Sequence, residues 1–240
     1  MELLTALRTH RIVAIVRGAD ADAALRTVLT LAEEGLPLIE VSLSGQDALG
    51  VIRRARAALG PAAPLGAGTV LTAEDARAVR DAGADFVVTP AVCEGVTEAK
   101  RLGLPVLAGV MTPSDIVAAR RLGADAYKLF PAAQAGGPGY LTALRGPFPD
   151  GPFVPVGGVD ADAARDYLAR GATAVGVGSP LIGDAADGGS TDALRERTRA
   201  FLAAVRTASD AGRISPDGVR TSPDVRTSPD GVRTSPDAGR

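Results

Sequence analysis

One cysteine, one histidine and two lysines are all that the 240-residue sequence offers of the side chains most often used as nucleophiles, metal ligands or imine-forming amines. The lone Cys93 excludes an intramolecular disulfide and suits a reducing cytoplasm, where the chain is expected to reside. With no histidine near it in sequence, that thiol reads as structural. The lone His10, read as a surface or helix-end residue, argues against a histidine-clustered metal site and leaves only carboxylates for a hard cation. Neither a metal nor an organic cofactor is expected. A formal charge of −2 gives no reason to expect nucleic acid or an anionic membrane surface as partner. No apolar run approaches the length of a membrane span, and Ile12–Val16 is too short for a secretory signal.

The shortage of lysine is the most informative of these. Of 26 basic residues only Lys100 and Lys128 are lysines, so surface charge is written in arginine. Lys128 lies within Ala126-Tyr127-Lys128-Leu129-Phe130-Pro131, an apolar and aromatic stretch that reads as a buried strand. Lysines are almost never fully buried unless paired. An amine can lose its proton in an apolar site and attack a carbonyl, which a guanidinium effectively cannot. The alternative is a strand-end lysine whose ammonium reaches back to water.

What the sequence has in quantity is a repeated phrase of β-rich run, loop, helical run and glycine. Gly35, Gly60, Gly83, Gly103, Gly123 and Gly171 each follow an amphipathic or alanine-rich segment and read as left-handed helix stops. Asp20 and Asp160 read as helix N-caps, as do Thr72 with Asp75 and Thr112 with Pro113 and Asp115. Strands are predicted at Ile12–Arg17, Pro37–Leu43, Pro64–Thr69, Phe86–Pro90, Pro105–Val110, Ala126–Pro131, Phe153–Val159 and Ala174–Ser179. Eight strand–helix units in roughly 200 residues predict an α/β fold, a single-domain (β/α)8 TIM barrel, rather than an open doubly wound sheet. The barrel is expected over residues 1–208. Residues 209–240 form a Ser-Pro-Asp near-repeat with almost no apolar residues, read as a disordered tail.

Chemistry in such a barrel gathers where the strands end. Strand one ends in Arg17, a candidate carboxylate clamp, and strand two carries Glu40 among apolar neighbours. Glu40 is either a general base or a buried ion-pair partner of Arg17 or Lys128. Strand three ends in Gly66-Ala67-Gly68-Thr69 and strand four in Thr89-Pro90, while Lys128 and Phe130 share a face of strand six. The amine is expected to be buried between Tyr127, Leu129 and Phe130, with Arg17 nearby. Strands seven and eight end in Val156-Gly157-Gly158-Val159 and Gly176-Val177-Gly178-Ser179. These glycines either allow close backbone approach or cradle a phosphate, the frequent role of the loops after strands seven and eight. Amine, acid/base, clamp and cradle together suit cleavage of a phosphorylated keto acid through a Schiff base. A phosphosugar isomerase or synthase, or a silent binding protein on the same barrel, are the other classes open.

Val13–Arg17, Ile39–Leu43, Gly66–Thr69, Gly109–Pro113, Lys128–Pro131, Gly146–Pro149 and Gly157–Val159 resemble, in this order, the 2-keto-3-deoxy-6-phosphogluconate (KDPG) and 4-hydroxy-2-oxoglutarate (KHG) aldolase family, with its phosphogalactonate relatives. The similarity runs from about Thr9 to Phe201. It implies a cofactor-free class I aldolase, usually a homotrimer. By the same resemblance Lys128 is the Schiff-base lysine and Glu40 the proton shuttle. Thr69 partners the pyruvyl carboxylate and Phe130 packs over the imine, with Arg17, Pro90 and Val156 among the substrate contacts. Gly157, Gly158, Gly178 and Ser179 match the phosphate loops. The sequence departs from the family pattern at Ser44, where many members carry arginine, and at Ala132-Ala133-Gln134, which lacks an acid. It also has Val156 where threonine is frequent before the glycine pair.

Overall fold

The computed structural model describes residues 2–211. In chain order the elements are α1 (Leu3–His10), β1 (Ile12–Val16), α2 (Ala21–Glu33), β2 (Ile39–Ser42), α3 (Ala48–Leu59), β3 (Leu65–Gly68), α4 (Ala73–Asp81), β4 (Phe86–Val88) and α5 (Glu94–Arg101). They continue with β5 (Val106–Val110), α6 (Pro113–Arg121), β6 (Ala126–Leu129), α7 (Gly137–Arg145), β7 (Phe153–Pro155), α8 (Ala161–Ala169), β8 (Val175–Val177), α9 (Ser179–Ile182), a 3₁₀ turn (Ala185–Asp187) and α10 (Thr191–Ala211). The tail expected over 209–240 lies outside the described residues, apart from the end of α10.

The eight strands form one parallel sheet in the order β7-β6-β5-β4-β3-β2-β1-β8, and a bridge between Val156 and Gly176 brings its two edges together. The fold is a (β/α)8 barrel. Its helix starts follow from local chemistry. Thr72 and Thr112 each close a reciprocal capping box, with Asp75 and Asp115 three residues on, and Asp20 and Asp160 accept backbone N–H groups of α2 and α8. The six helix-stopping glycines all adopt left-handed backbone, with φ from +74° at Gly60 to +99° at Gly83.

Alternation along each strand sorts side chains into two layers. Outward residues such as Val41, Val87, Tyr127 and Leu129 pack against the helices. Inward residues at the N-terminal ends, among them Val13, Leu38, Phe86, Leu107 and Val154, cluster with Leu3 and Leu7 of α1. That helix, which the strand–helix phrase did not signal, floors the barrel. His10 is its exposed last residue.

The strands are shorter than predicted where the chain turns into the site. Predicted strand seven, Phe153–Val159, ends at Pro155, because Gly157 and Gly158 take φ of +99° and +70°. Predicted strand eight, Ala174–Ser179, ends at Val177, and Ser179 opens α9 instead.

Two acidic residues tie helices together. Glu34, the cap residue just after α2, pairs with Arg195 and Arg199 of α10. Glu98 of α5 receives Arg101 on both carboxylate oxygens at 2.7 Å and Arg77 of α4 at 2.7 Å. Bonding to Arg101, then to Arg77, lowers Glu98 from the ordinary 4.5 to about 2. A carboxylate whose folded pKa is depressed stabilises the fold above its unfolded pKa and loses that contribution as pH falls through the folded value. Glu98→Gln should therefore lower the urea midpoint at neutral pH and flatten its fall between pH 4.5 and about 2. Parallel pH profiles for wild type and variant would show that the clamp contributes nothing.

Candidate functional site

The inward positions near the strand C-termini do not continue the apolar core; they open into a cavity of about 540 Å³. Two of them are ionisable and nearly shut off from bulk water. Glu40 on β2 is 1% exposed and Lys128 on β6 is 6% exposed. The Lys128 amine faces the Phe130 ring, 5.3 Å from its centroid. Tyr127 and Leu129 do not help to bury it. They belong to the outward layer, where the Tyr127 ring tilts against Phe153 at 5.6 Å. The expected three-sided apolar pocket around the amine is thus corrected to one aromatic face, since adjacent strand residues point to opposite sides.

Glu40 lies within electrostatic range of Lys128, and burial pushes its pKa up against the opposing pull of that charge. Among the described residues neither Lys128 nor Arg17 forms an ion pair with it, so the reading of Glu40 as a buried ion-pair partner is not realised. A desolvated carboxyl beside an amine, with neither locked in a bidentate bridge, is able to exchange protons with a third group. The space for it comes from β3. A Cβ on Gly68 would stand 2.5 Å from Glu40 Oε1, so only glycine leaves the carboxyl in place.

The remaining predicted residues surround these two. Arg17 follows β1 at the exposed mouth. Thr69 follows β3 with φ +60°, a conformation costly for a β-branched residue. Pro90 reaches the cavity because Gly109 on β5 carries no Cβ; one there would lie 2.1 Å from the Pro90 carbonyl carbon. Val156 is buried against Gly176, and Gly157 lies under the Phe130 ring. Gly158, Gly178 and Ser179 line the side formed by the chain leaving β7 and β8. All eleven positions therefore border one cavity.

Two polar lining residues, Ser42 and Asp187, were not singled out from the sequence. Ser42 stands two residues beyond Glu40, so strand alternation alone placed it on the same face. Asp187 in the 3₁₀ turn is different, as no local pattern marks it. Its Oδ1 accepts the Ala19 N–H at 2.6 Å, and neighbouring Ala186 lies so close to Gly18 that a Cβ there would meet the Ala186 carbonyl oxygen at 2.0 Å. The turn thereby braces the loop that follows Arg17. Among the described residues no group of three or more His, Cys, Asp or Glu stands together as a metal site, and no helix is long and apolar enough to cross a membrane. Cys93 packs against the outer core and donates its thiol to the Val70 carbonyl at 3.5 Å.

A (β/α)8 barrel with an amine and a carboxyl buried in one cavity at its strand ends is what the structure defines, and known proteins give its class. The family model described as KDPG and KHG aldolase matches residues 3–193. The 2-dehydro-3-deoxy-phosphogluconate aldolase of Haemophilus influenzae is 37% identical over 169 residues, covering 70% of this chain and 79% of the relative. The probable 2-dehydro-3-deoxy-6-phosphogalactonate aldolase of Rhizobium meliloti is 35% identical over 195 residues, covering 80% and 90%. The structure of a KDPG aldolase from Legionella pneumophila, with pyruvate captured as a covalent carbinolamine, superposes with a TM-score of 0.77 at 26% identity over 84% of this chain and 98% of that one. The chain belongs to the KDPG and KHG aldolase family and is an aldolase, a carbon–carbon lyase.

The close seat of Glu40 over Gly68 is directly testable. Gly68→Ala should leave the melting temperature near wild type, because the obstructed group is a side-chain end, yet lower turnover about 100-fold by displacing the carboxyl. Unchanged turnover in a folded variant would show that the position of Glu40 is not limiting.

Proposed function

We propose that the chain is a class I aldolase that cleaves 2-keto-3-deoxy-6-phosphogluconate to pyruvate and glyceraldehyde 3-phosphate, with 4-hydroxy-2-oxoglutarate as a smaller substrate giving pyruvate and glyoxylate. The observation that carries this reading is the buried Lys128 amine, free of any ion pair among the described residues and beside the Glu40 carboxyl in one cavity. The carbinolamine in the Legionella pneumophila relative supports it.

In this reading Arg17 and Thr69 receive the keto-acid carboxylate, and Pro90 and Phe130 wall the reacting carbons. Gly157, Gly158, Gly178 and Ser179 hold the phosphate at the ends of β7 and β8, where this fold most often binds one. The Lys128 amine attacks C2 with its lone pair, and Glu40, whose protonated form burial favours, gives its proton to the departing hydroxyl, so that water leaves, the imine nitrogen is cationic and Glu40 is ionised. Glu40 takes the proton of the C4 hydroxyl as the C3–C4 bond breaks, and the electron pair moves into the imine to form an enamine. The aldehyde departs. Glu40 returns its proton to C3, and water hydrolyses the resulting cationic imine to pyruvate and free lysine, the released proton going back to Glu40. The imine is itself the electron sink, so the scheme needs no Lewis acid. A homotrimer in the cytoplasm is the setting we infer.

The deciding experiment is incubation with pyruvate and borohydride followed by intact mass. Wild type should gain an irreversible pyruvyl adduct on Lys128. Lys128→Arg keeps the positive charge and should gain none, with aldol turnover falling below a few per cent. Aldol turnover without an adduct on wild type would overturn the Schiff-base role of Lys128.

The phosphogalactonate epimer is a second reading, favoured by Val156. This side chain is buried at the end of β7, lines the cavity and has no hydroxyl to bind the C4 hydroxyl of either epimer. We therefore expect cleavage of both epimers. Val156→Thr should raise the gluconate-to-galactonate ratio of kcat/KM by roughly 5–30-fold, the worth of one hydrogen bond. A flat ratio across both substrates and both variants would mean that position 156 does not read C4.

A further inference from the structure

Three hydroxyls stand in line between the mouth of the barrel and the reacting end of the cavity. Ser42 Oγ lies 2.8 Å from Thr69 Oγ1 on one side and 2.8 Å from Ser44 Oγ on the other. Ser44 is exposed, Ser42 is only 3% exposed, and both Ser42 and Thr69 line the cavity. The scheme above uses Thr69 and leaves the other two without a task.

A hydroxyl has one proton to donate and two lone pairs to accept with. Ser42 Oγ also accepts the Ser44 backbone N–H, at 3.4 Å. The order that serves a bound carboxylate has Ser44 Oγ donating to Ser42 Oγ and Ser42 Oγ donating to Thr69 Oγ1, which leaves the Thr69 proton free for the cavity. Hydrogen bonds in such a chain polarise one another, and each makes the next donor stronger.

We propose that Ser42 is a positioning residue that aims and strengthens the Thr69 hydroxyl as a donor to the carboxylate of the bound keto acid, with Ser44 as the outer end of the same chain. This rests on the aldolase reading above, in which Thr69 meets that carboxylate. The chain acts on one part of the ligand only. A ketone that lacks a carboxylate can form the imine with Lys128 but gains nothing from Thr69.

The test compares pyruvate with acetone in borohydride trapping on wild type, Ser42→Ala, Ser42→Thr and Ser44→Ala, together with KM and kcat for aldol cleavage. Ser42→Ala should raise the half-saturating pyruvate concentration about three- to tenfold and shift KM more than kcat. It should leave acetone trapping at the wild-type level. Ser42→Thr restores the hydroxyl and should recover most of the loss. The exposed Ser44→Ala, which does not disturb packing, should show a smaller loss of the same kind. The proposal is overturned if Ser42→Ala weakens acetone and pyruvate equally, since that marks a general packing defect. It is also overturned if neither serine variant affects pyruvate. Absence of trapping in the wild type would instead remove the aldolase reading itself.

Discussion

Everything in this barrel depends on keeping an amine and a carboxyl indoors together without letting them collapse onto each other. Two opposite charges in a low-dielectric interior attract strongly, and a closed salt bridge between them would be inert. Glu40 and Lys128 stand on β2 and β6, with β3, β4 and β5 between them in the sheet. The rigidity of the sheet sets their spacing, and the side chains do not. Burial favours the neutral form of Glu40 while the lysine charge opposes it, so the pair holds its proton inventory in tension.

That arrangement needs empty volume at one end of the barrel and dense packing at the other. Emptiness comes from absent side chains. Gly68 clears the Glu40 carboxyl, Gly109 lets Pro90 close in, and Gly176 accepts Val156. Density comes from large inward residues, with Phe86 and Leu107 packed on α1. A (β/α)8 barrel normally fills its interior in layers. Here the upper layer is thinned by glycine, and the room at those positions is taken by Glu40, Pro90 and Val156, which border the cavity.

Much of this was readable from the sequence because it is local. The capping boxes at Thr72 and Thr112 and the glycine stops involve residues a few positions apart, so spacing alone specifies them. Strand alternation put Lys128 and Phe130 on one face, Glu40 stood out as an acid among apolar strand neighbours, and the family resemblance supplied their expected roles. What escaped was non-local. Asp187 reaches the Ala19 amide across 168 residues, and nothing in its own neighbourhood announces that contact. The floor helix α1 is a two-turn segment outside the repeating phrase. The surroundings of Lys128 were misjudged for a simpler reason: sequence neighbours in a strand are not spatial neighbours, and Tyr127 faces the helices.

The floor has its own consequence. Leu3 and Leu7 of α1 close one end of the barrel, and among the described residues the cavity opens at the rim that carries Arg17 and Ser179. A dead-end chamber empties in the reverse of the order in which it is occupied. In the Schiff-base scheme the fragment tethered to Lys128 lies inward of the fragment held at the rim, so the aldehyde must clear the doorway before pyruvate can follow. The covalent tether and the closed floor then impose the same departure order, the second through a short amphipathic helix on the opposite side of the molecule from any reacting atom.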